Sequence, residues 1–304
     1  MLPNRRIFVE TLALMNGRWR YRRVLMRSFL RLIRAGNLLI IVLTQYLVRI
    51  FLVGPKEDWL RHLADFRFFL LSLSTVLIAA AGYIINDYYD IKIDTINKPR
   101  RVVIGRILRR RHAMFTHSAF NALGIGLGLL VGLKVAVVNL LAAFVLWLYS
   151  NQLKRRPFIG NVTVALLTAA SLLVIILYVP RNGFLVFTFA LFAFFISLIR
   201  EIIKDMEDLR GDATFGCQTL PIVWGIRRTK SLLYILIGSF LVILFTLSFY
   251  LREWIVFYFS LFVFLPTAWL TWRLARADTR REFGYLSTWC KIIMLSGVLS
   301  MVLL

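Results

Sequence analysis

The stretch that decides the fold runs from Phe68 to Asp94. Its first part, FFLLSLSTVLIAAAGYII from Phe68 to Ile85, carries no charge. It is followed at once by Asn86-Asp87-Tyr88-Tyr89-Asp90-Ile91-Lys92-Ile93-Asp94. An apolar run of about 20 residues is long enough to cross a bilayer core as a helix, and a helix satisfies its own backbone in lipid. Carboxylates stacked on the end of such a helix are costly and mark a candidate site.

Eight further runs of the same kind appear. With this one they occupy 34–53, 68–86, 114–133, 135–150, 160–179, 184–203, 231–250, 254–273 and 285–304. The pattern predicts an all-α integral membrane bundle of about nine helices, with Lys291 inside the ninth. The third and fourth spans are close enough, around Gly132–Val135, to form a tight hairpin.

Composition agrees. Of 304 residues 60% are hydrophobic, and the formal charge is +23 from 38 Lys plus Arg against 15 Asp plus Glu. A disordered basic chain would be poor in large apolar residues. A soluble nucleic-acid binder would not carry repeated bilayer-length runs, so no nucleic-acid partner is expected. The basic segment Arg18 to Arg23 follows a weak apolar patch, Leu12 to Met15, which is not the order of a secretory signal.

The cations are placed by topology. Residues 1–34 and the connections after spans two, four, six and eight, together with Arg200, Arg273 and Lys291 in the adjoining spans, hold 31 of the 38. The positive-inside rule makes this side cytoplasmic, with the N-terminus on it and the C-terminus on the other. Expected is a bacterial or archaeal cell membrane. Residues 1–30 form a separate basic segment, readable as an interfacial helix on anionic lipid or as a partly ordered tail. The remainder, 31–304, reads as a single transmembrane domain. Cys217 and Cys290 are expected to be free thiols. Glycines 124, 128 and 132 suit close packing inside the bundle, with a dimer face as the alternative.

The acids are the informative minority. Eight of 15 fall in two segments, the one quoted above and Arg200-Glu201-Ile202-Ile203-Lys204-Asp205-Met206-Glu207-Asp208-Leu209-Arg210-Gly211-Asp212. Each lies at the cytoplasmic end of a span. On a continuous helix Asn86, Asp90 and Asp94 share an arc of about 80°, with Asp87 at its edge. Glu201, Asp205, Asp208 and Asp212 share about 60°, and Glu207 points away. Lys92 and Lys204 lie off these stripes and are expected to neutralise them poorly. Solvated helix ends would explain one such segment; two at matched ends suggest a cation between them. Oxygen ligands without His or Cys suit Mg²⁺ or Ca²⁺, and two facing stripes can hold Mg²⁺ ions with a diphosphate between them. Lys98, Arg100, Arg101, Lys154 and Arg155 stand near enough in sequence to assist.

These residues resemble a family. Asn86-Asp87-xx-Asp90-xxx-Asp94 is similar to the first aspartate-rich motif of the UbiA superfamily of intramembrane prenyltransferases. Asp208-xxx-Asp212 with Gly216 and Thr219-Leu220-Pro221 is similar to the second. Arg34-xx-Asn37 and Tyr149-Ser150-xx-Leu153-Lys154-Arg155 with Gly160-Asn161 also match. The resemblance implies a bundle around a central cavity open sideways to lipid. It implies Mg²⁺ at Asn86, Asp90, Asp94, Asp208 and Asp212, the aspartates being the catalytic set. Donor and acceptor binding would fall to Asn37, Arg101, Lys154, Arg155 and Asp205.

The reaction implied is Mg²⁺-dependent transfer of a prenyl group from an allylic polyprenyl diphosphate to a lipophilic acceptor. Arg200-Glu201-xxx-Asp205-xx-Asp208-xx-Gly211-Asp212 resembles the ether-lipid branch, geranylgeranylglycerol-phosphate geranylgeranyltransferases, whose acceptor is a prenylglycerol phosphate. An aromatic or quinone-precursor acceptor is the alternative, and a secondary transporter is the non-enzyme alternative. Transporter sites, however, favour the midplane on interrupted helices. No obligate protein partner is expected; membrane lipids are.

Overall fold

A computed structural model describes residues 17–99, 102–248 and 253–304. Its helices run in chain order as α1 (Gly17–Leu32), α2 (Ala35–Leu47, extended by a π turn, Val48–Val53), α3 (Trp59–Leu63), α4 (Phe66–Tyr89) and α5 (Ile91–Asn97). They continue as α6 (Arg110–Val131), α7 (Leu133–Asn151), α8 (Ile159–Tyr178), α9 (Gly183–Thr214) and α10 (Leu220–Val223). The last four are α11 (Gly225–Ser248), α12 (Glu253–Phe259), α13 (Leu265–Arg276) and α14 (Arg280–Leu299). Among the described residues the only bridge is an isolated one, Ile104 to Leu108.

Among the described residues, eight helices are long and apolar enough to cross a membrane. The eighth expected span, 254–273, appears as α12 and α13 joined by a π turn, Ser260–Phe264, and is not among those eight, whereas the ninth, 285–304, is α14 with its extension to Leu303. The chain is a multi-pass membrane protein. Its large exposed apolar side chains, such as Leu39, Phe115, Leu130, Leu141 and Phe245, suit a lipid-facing exterior.

Two helices form the axis. Helix α4 packs on α6 and α7, and α9 packs on α8 and α14. Their buried faces explain the pairing: Phe68, Leu71, Ile78 and Ile84 on α4, and Phe189, Ile196, Ile199 and Ile203 on α9. Small residues let the backbones approach. A Cβ on Gly124 would meet Ile78 at 2.9 Å, and one on Gly128 would meet Asn139 Nδ2 at 2.5 Å. Both glycines therefore serve packing within this chain. The hairpin falls where expected, since Gly132 alone separates α6 from α7.

One end of the bundle is tied by polar groups. Asp65 caps α4 through the Phe68 amide at 3.1 Å, accepts from Tyr178 at 2.9 Å and pairs with Arg49 at 3.3 Å. Asn182 donates to the Leu52 carbonyl at 2.6 Å. Cys217 and Cys290 are free and buried. Of the basic N-terminal segment, 1–16 lie outside the described residues. The part from Gly17 is helical, and Phe29 meets Phe120 edge-on at 6.4 Å.

Candidate functional site

The first acidic segment does not stay on one helix. Helix α4 ends at Tyr89, Asp90 adopts φ −88°, ψ 3°, and α5 begins at Ile91. The 80° arc expected of Asn86, Asp90 and Asp94 is therefore broken at its centre. Asn86 still reaches Asp90, donating from Nδ2 to Oδ2 at 2.8 Å. Asp94 sits on α5, where burial and the Asp90 and Asp87 carboxylates push its pKa up to about 6. The second segment stays on α9 as expected, and Asp212 is buried near its end.

Lysines neutralise the carboxylates. Lys154, on the turn after α7, contacts Asp90 Oδ2. Burial works against its charge, but Asp90, Tyr149 and Asp212 together outweigh burial and keep the ammonium charged, well above the usual lysine value. Lys98 donates to Asp208 Oδ2 at 2.6 Å. Lys204 reaches Glu201 at 3.4 Å, and Arg200 reaches it at 2.5 Å. The expectation that Lys204 neutralises poorly is thus corrected: a flexible four-carbon stem lets an i,i+3 lysine reach a carboxylate off its own face. Arg34 pairs with Asp87 at 3.0 Å and lies over the Tyr83 ring at 4.7 Å.

Asn97 joins the two segments, and nothing in the sequence singled it out. Its Nδ2 donates to the Asp208 carbonyl at 2.9 Å, and its Oδ1 accepts from the Gly211 amide at 3.0 Å. A Cβ on Gly211 would come within 2.4 Å of that amide group, so the approach requires glycine here. Arg280 donates to the Asn97 carbonyl and brings α14 to the same place. The turn carrying Lys154 is shaped by Phe158 at φ 66° and by Gly160, whose Cβ would meet the Leu153 carbonyl at 2.9 Å.

A cavity of about 240 Å³ runs down from this polar layer. Arg34, Asn37, Tyr83, Asn86, Tyr149, Arg200, Glu201, Lys204 and Lys291 line its mouth; Ile40, Ile78, Leu146, Leu167, Leu172 and Val298 are among its walls. Lys291, unexplained in the sequence, donates to Asn37 Oδ1 at 3.0 Å.

Of the sequence candidates, the structure brings Asn86, Asp90 and Lys154 into direct contact. Asn37 and Asn86 line the cavity, and Asp205 accepts from Asn161 at 2.8 Å. Arg155 is exposed and contributes its carbonyl, which accepts from the Gln218 amide at 2.9 Å. Arg101 lies outside the described residues. Among the described residues, no three His, Cys, Asp or Glu side chains converge tightly enough to hold one ion. Lysines stand between the carboxylates, which is how like charges at such spacing are kept apart.

The model of the UbiA prenyltransferase family matches residues 42–290. The chain belongs to that family. One UbiA relative, digeranylgeranylglyceryl phosphate synthase of Saccharolobus solfataricus, is 32% identical over 91% of this chain and 96% of its own length. Another of that name, from Thermococcus gammatolerans, is 42% identical over 52% of this chain, and the match spans only 57% of that relative. Among solved structures, a digeranylgeranylglyceryl phosphate synthase superposes with TM-score 0.64 at 22% identity, covering 92% of this chain and 99% of its own. A UbiA homologue from Archaeoglobus fulgidus, solved with DMAPP and Mg²⁺, gives TM-score 0.61 at 18% identity over 91% and 100%. At these identities the structures share the fold.

Proposed function

We propose that the protein transfers a prenyl group from an allylic polyprenyl diphosphate to the hydroxyl of a prenylglycerol phosphate, with Mg²⁺ as cofactor. The carrying observation is that the chain just past the first carboxylate segment meets the second through Lys98 and Asp208, 110 residues apart, beside an apolar cavity that Asn86 and Glu201 of the two segments line. The relatives named digeranylgeranylglyceryl phosphate synthase support a phosphorylated ether acceptor. The Archaeoglobus homologue, solved with DMAPP or GPP and Mg²⁺, supports the donor class and the metal.

The residues suit a hard cation. Asn86, Asp90, Asp94, Asp208 and Asp212 offer oxygen donors, and Asp208 Oδ1 is buried without a hydrogen-bond partner. When bound there, Mg²⁺ supplies neutralisation of the charge that develops on the leaving diphosphate. Lys98 and Lys154, held at Asp208 and Asp90, add cations for the same anion. As the C1–O bond to diphosphate breaks, positive charge grows on C1. One face of Tyr83 is already occupied by Arg34, so Tyr149 is the mouth-lining ring free to stabilise that charge. The apolar walls hold the prenyl tail and exclude water. The acceptor oxygen then bonds to C1 and its proton is released.

The distribution of Lys and Arg supports a mouth on the cytoplasmic side, together with the N-terminus. The domain is taken as 31–304, with 1–30 a basic interfacial segment. A mass-spectrometric product screen tests the reading, offering purified protein several prenyl diphosphates and several acceptors. A diprenylglycerol phosphate product is expected. Transfer to an aromatic acid, with none to a prenylglycerol phosphate, would overturn the acceptor assignment.

A further inference from the structure

A second pocket, about 570 Å³, adjoins the cavity mouth between α9 and α14, and the two share Arg200, Lys204 and Lys291. Its walls carry Lys98, Arg200, Lys204, Arg280, Arg281 and Lys291 against one acid, Glu207. Helix geometry separates it from the carboxylate stripe. Taking Glu201 as zero, Asp205, Asp208 and Asp212 fall within about 40° of it on α9. Arg200, Lys204 and Glu207 fall at about 240° to 300°, the adjoining face. One helix thus presents carboxylates to one site and cations to its neighbour.

The cations are not all used internally. Arg200 and Lys204 share Glu201, Lys98 takes Asp208, and Arg280 takes the Asn97 carbonyl. Lys291 has a neutral partner, Asn37. Arg281 makes no ion pair among the described residues, and Arg200 Nε is buried without a partner. The N-terminus of α14 does not supply the missing anion contact, because Thr279 and Glu282 close it with a capping box. Three of the six cations have carboxylate partners, which leaves Arg280, Arg281 and Lys291 without an ion pair among the described residues, and these repel one another unless an anion enters. A lysine inside a membrane span, pointing at both pocket and cavity, is costly unless it serves a ligand.

We propose that this pocket is the subsite for the acceptor's phosphate monoester, with the acceptor's chain in the adjoining apolar cavity. The proposal rests on the acceptor reading above. The pocket's position beside the carboxylate stripe would let the acceptor's glycerol hydroxyl reach the donor's C1 while its phosphate stays apart from the donor diphosphate. That separation matters, because two phosphorylated lipids must be held at once; Lys98, tied to Asp208, stands on the border between the two sites, and the other five cations of the pocket belong to the acceptor side.

Steady-state kinetics in liposomes test it, using Arg281→Gln and Lys291→Gln, with donor and prenylglycerol phosphate varied separately. Each variant should raise the acceptor KM about tenfold or more, as loss of one charge-assisted contact predicts, and leave the donor KM within about twofold. Arg281→Lys should recover most of the loss. An equal rise in both KM values, or no rise in either, would overturn the proposal. So would activity losses that follow the anionic lipid content of the vesicles instead of acceptor concentration. If wild-type protein turns over other acceptors but no prenylglycerol phosphate, the functional reading fails and the subsite falls with it. If wild-type protein does use that acceptor and the variants do not discriminate, the subsite alone fails.

Discussion

At the scale of single residues, the site is held by contacts that span the chain. Asp90 is almost fully buried and leans on Lys154, 64 residues away. Removing one partner of such a pair leaves the other charge exposed to an apolar surrounding. Lys154→Met should therefore lower kcat about a hundredfold, the scale of losing one preorganised electrostatic contact; rapid-quench product formation checks it. Gly211 gives a second prediction. An added methyl would strike Asn97 and force the two acidic segments apart. Gly211→Ala should lower stability by about 1–3 kcal/mol, read as a drop in Tm in detergent. The acids themselves were legible in the sequence because their clustering is local. The Asn97 bridge was not, since its partners, Asp208 and Gly211, lie 111 and 114 residues away.

At the scale of elements, the spans follow from their apolar runs, and the second acidic stripe stays on one helix as helical spacing predicts. The first does not. Asp90 ends α4, and α5 carries Asp94 in a new direction. No proline or glycine marks the break, so a continuous helix was the natural reading. The Asp65 clamp is likewise invisible locally, because Arg49 and Tyr178 come from other helices. It makes a pH prediction. Burial raises the Asp65 pKa, but the Phe68 amide, Tyr178 and Arg49 outweigh it and hold it below the usual carboxylate value. A carboxylate depressed in the folded state stabilises above its unfolded pKa and loses that contribution as pH falls through the folded one. Thermal melts from pH 6 to pH 3 should show wild-type protein losing more Tm than Asp65→Asn, which lacks the titrating group. Parallel curves would contradict the clamp.

At the scale of the molecule, charge is divided by side and by sign. The sequence gathers eight of the 15 acids into two short segments, of which Glu201 lines the cavity, and its 38 cations are spread over the rest of the chain and around those segments. Nine crossings among the described residues, with α12 and α13 taken as one, predict chain ends on opposite sides. Both native cysteines are buried, so single cysteines added at either end can be labelled against a low background. An impermeant maleimide should label the C-terminal cysteine on intact cells and the N-terminal one only after lysis. The central claim is that these two carboxylate segments bind and activate a prenyl diphosphate. Diphosphate release measured in proteoliposomes, for wild-type protein and Asp208→Ala, tests it most directly. The expected result is Mg²⁺-dependent release matched one for one by prenylated acceptor, stopped by EDTA and absent from a folded Asp208→Ala protein. Substrate accumulating in the lumen without release, or wild-type turnover in Asp208→Ala, would contradict it.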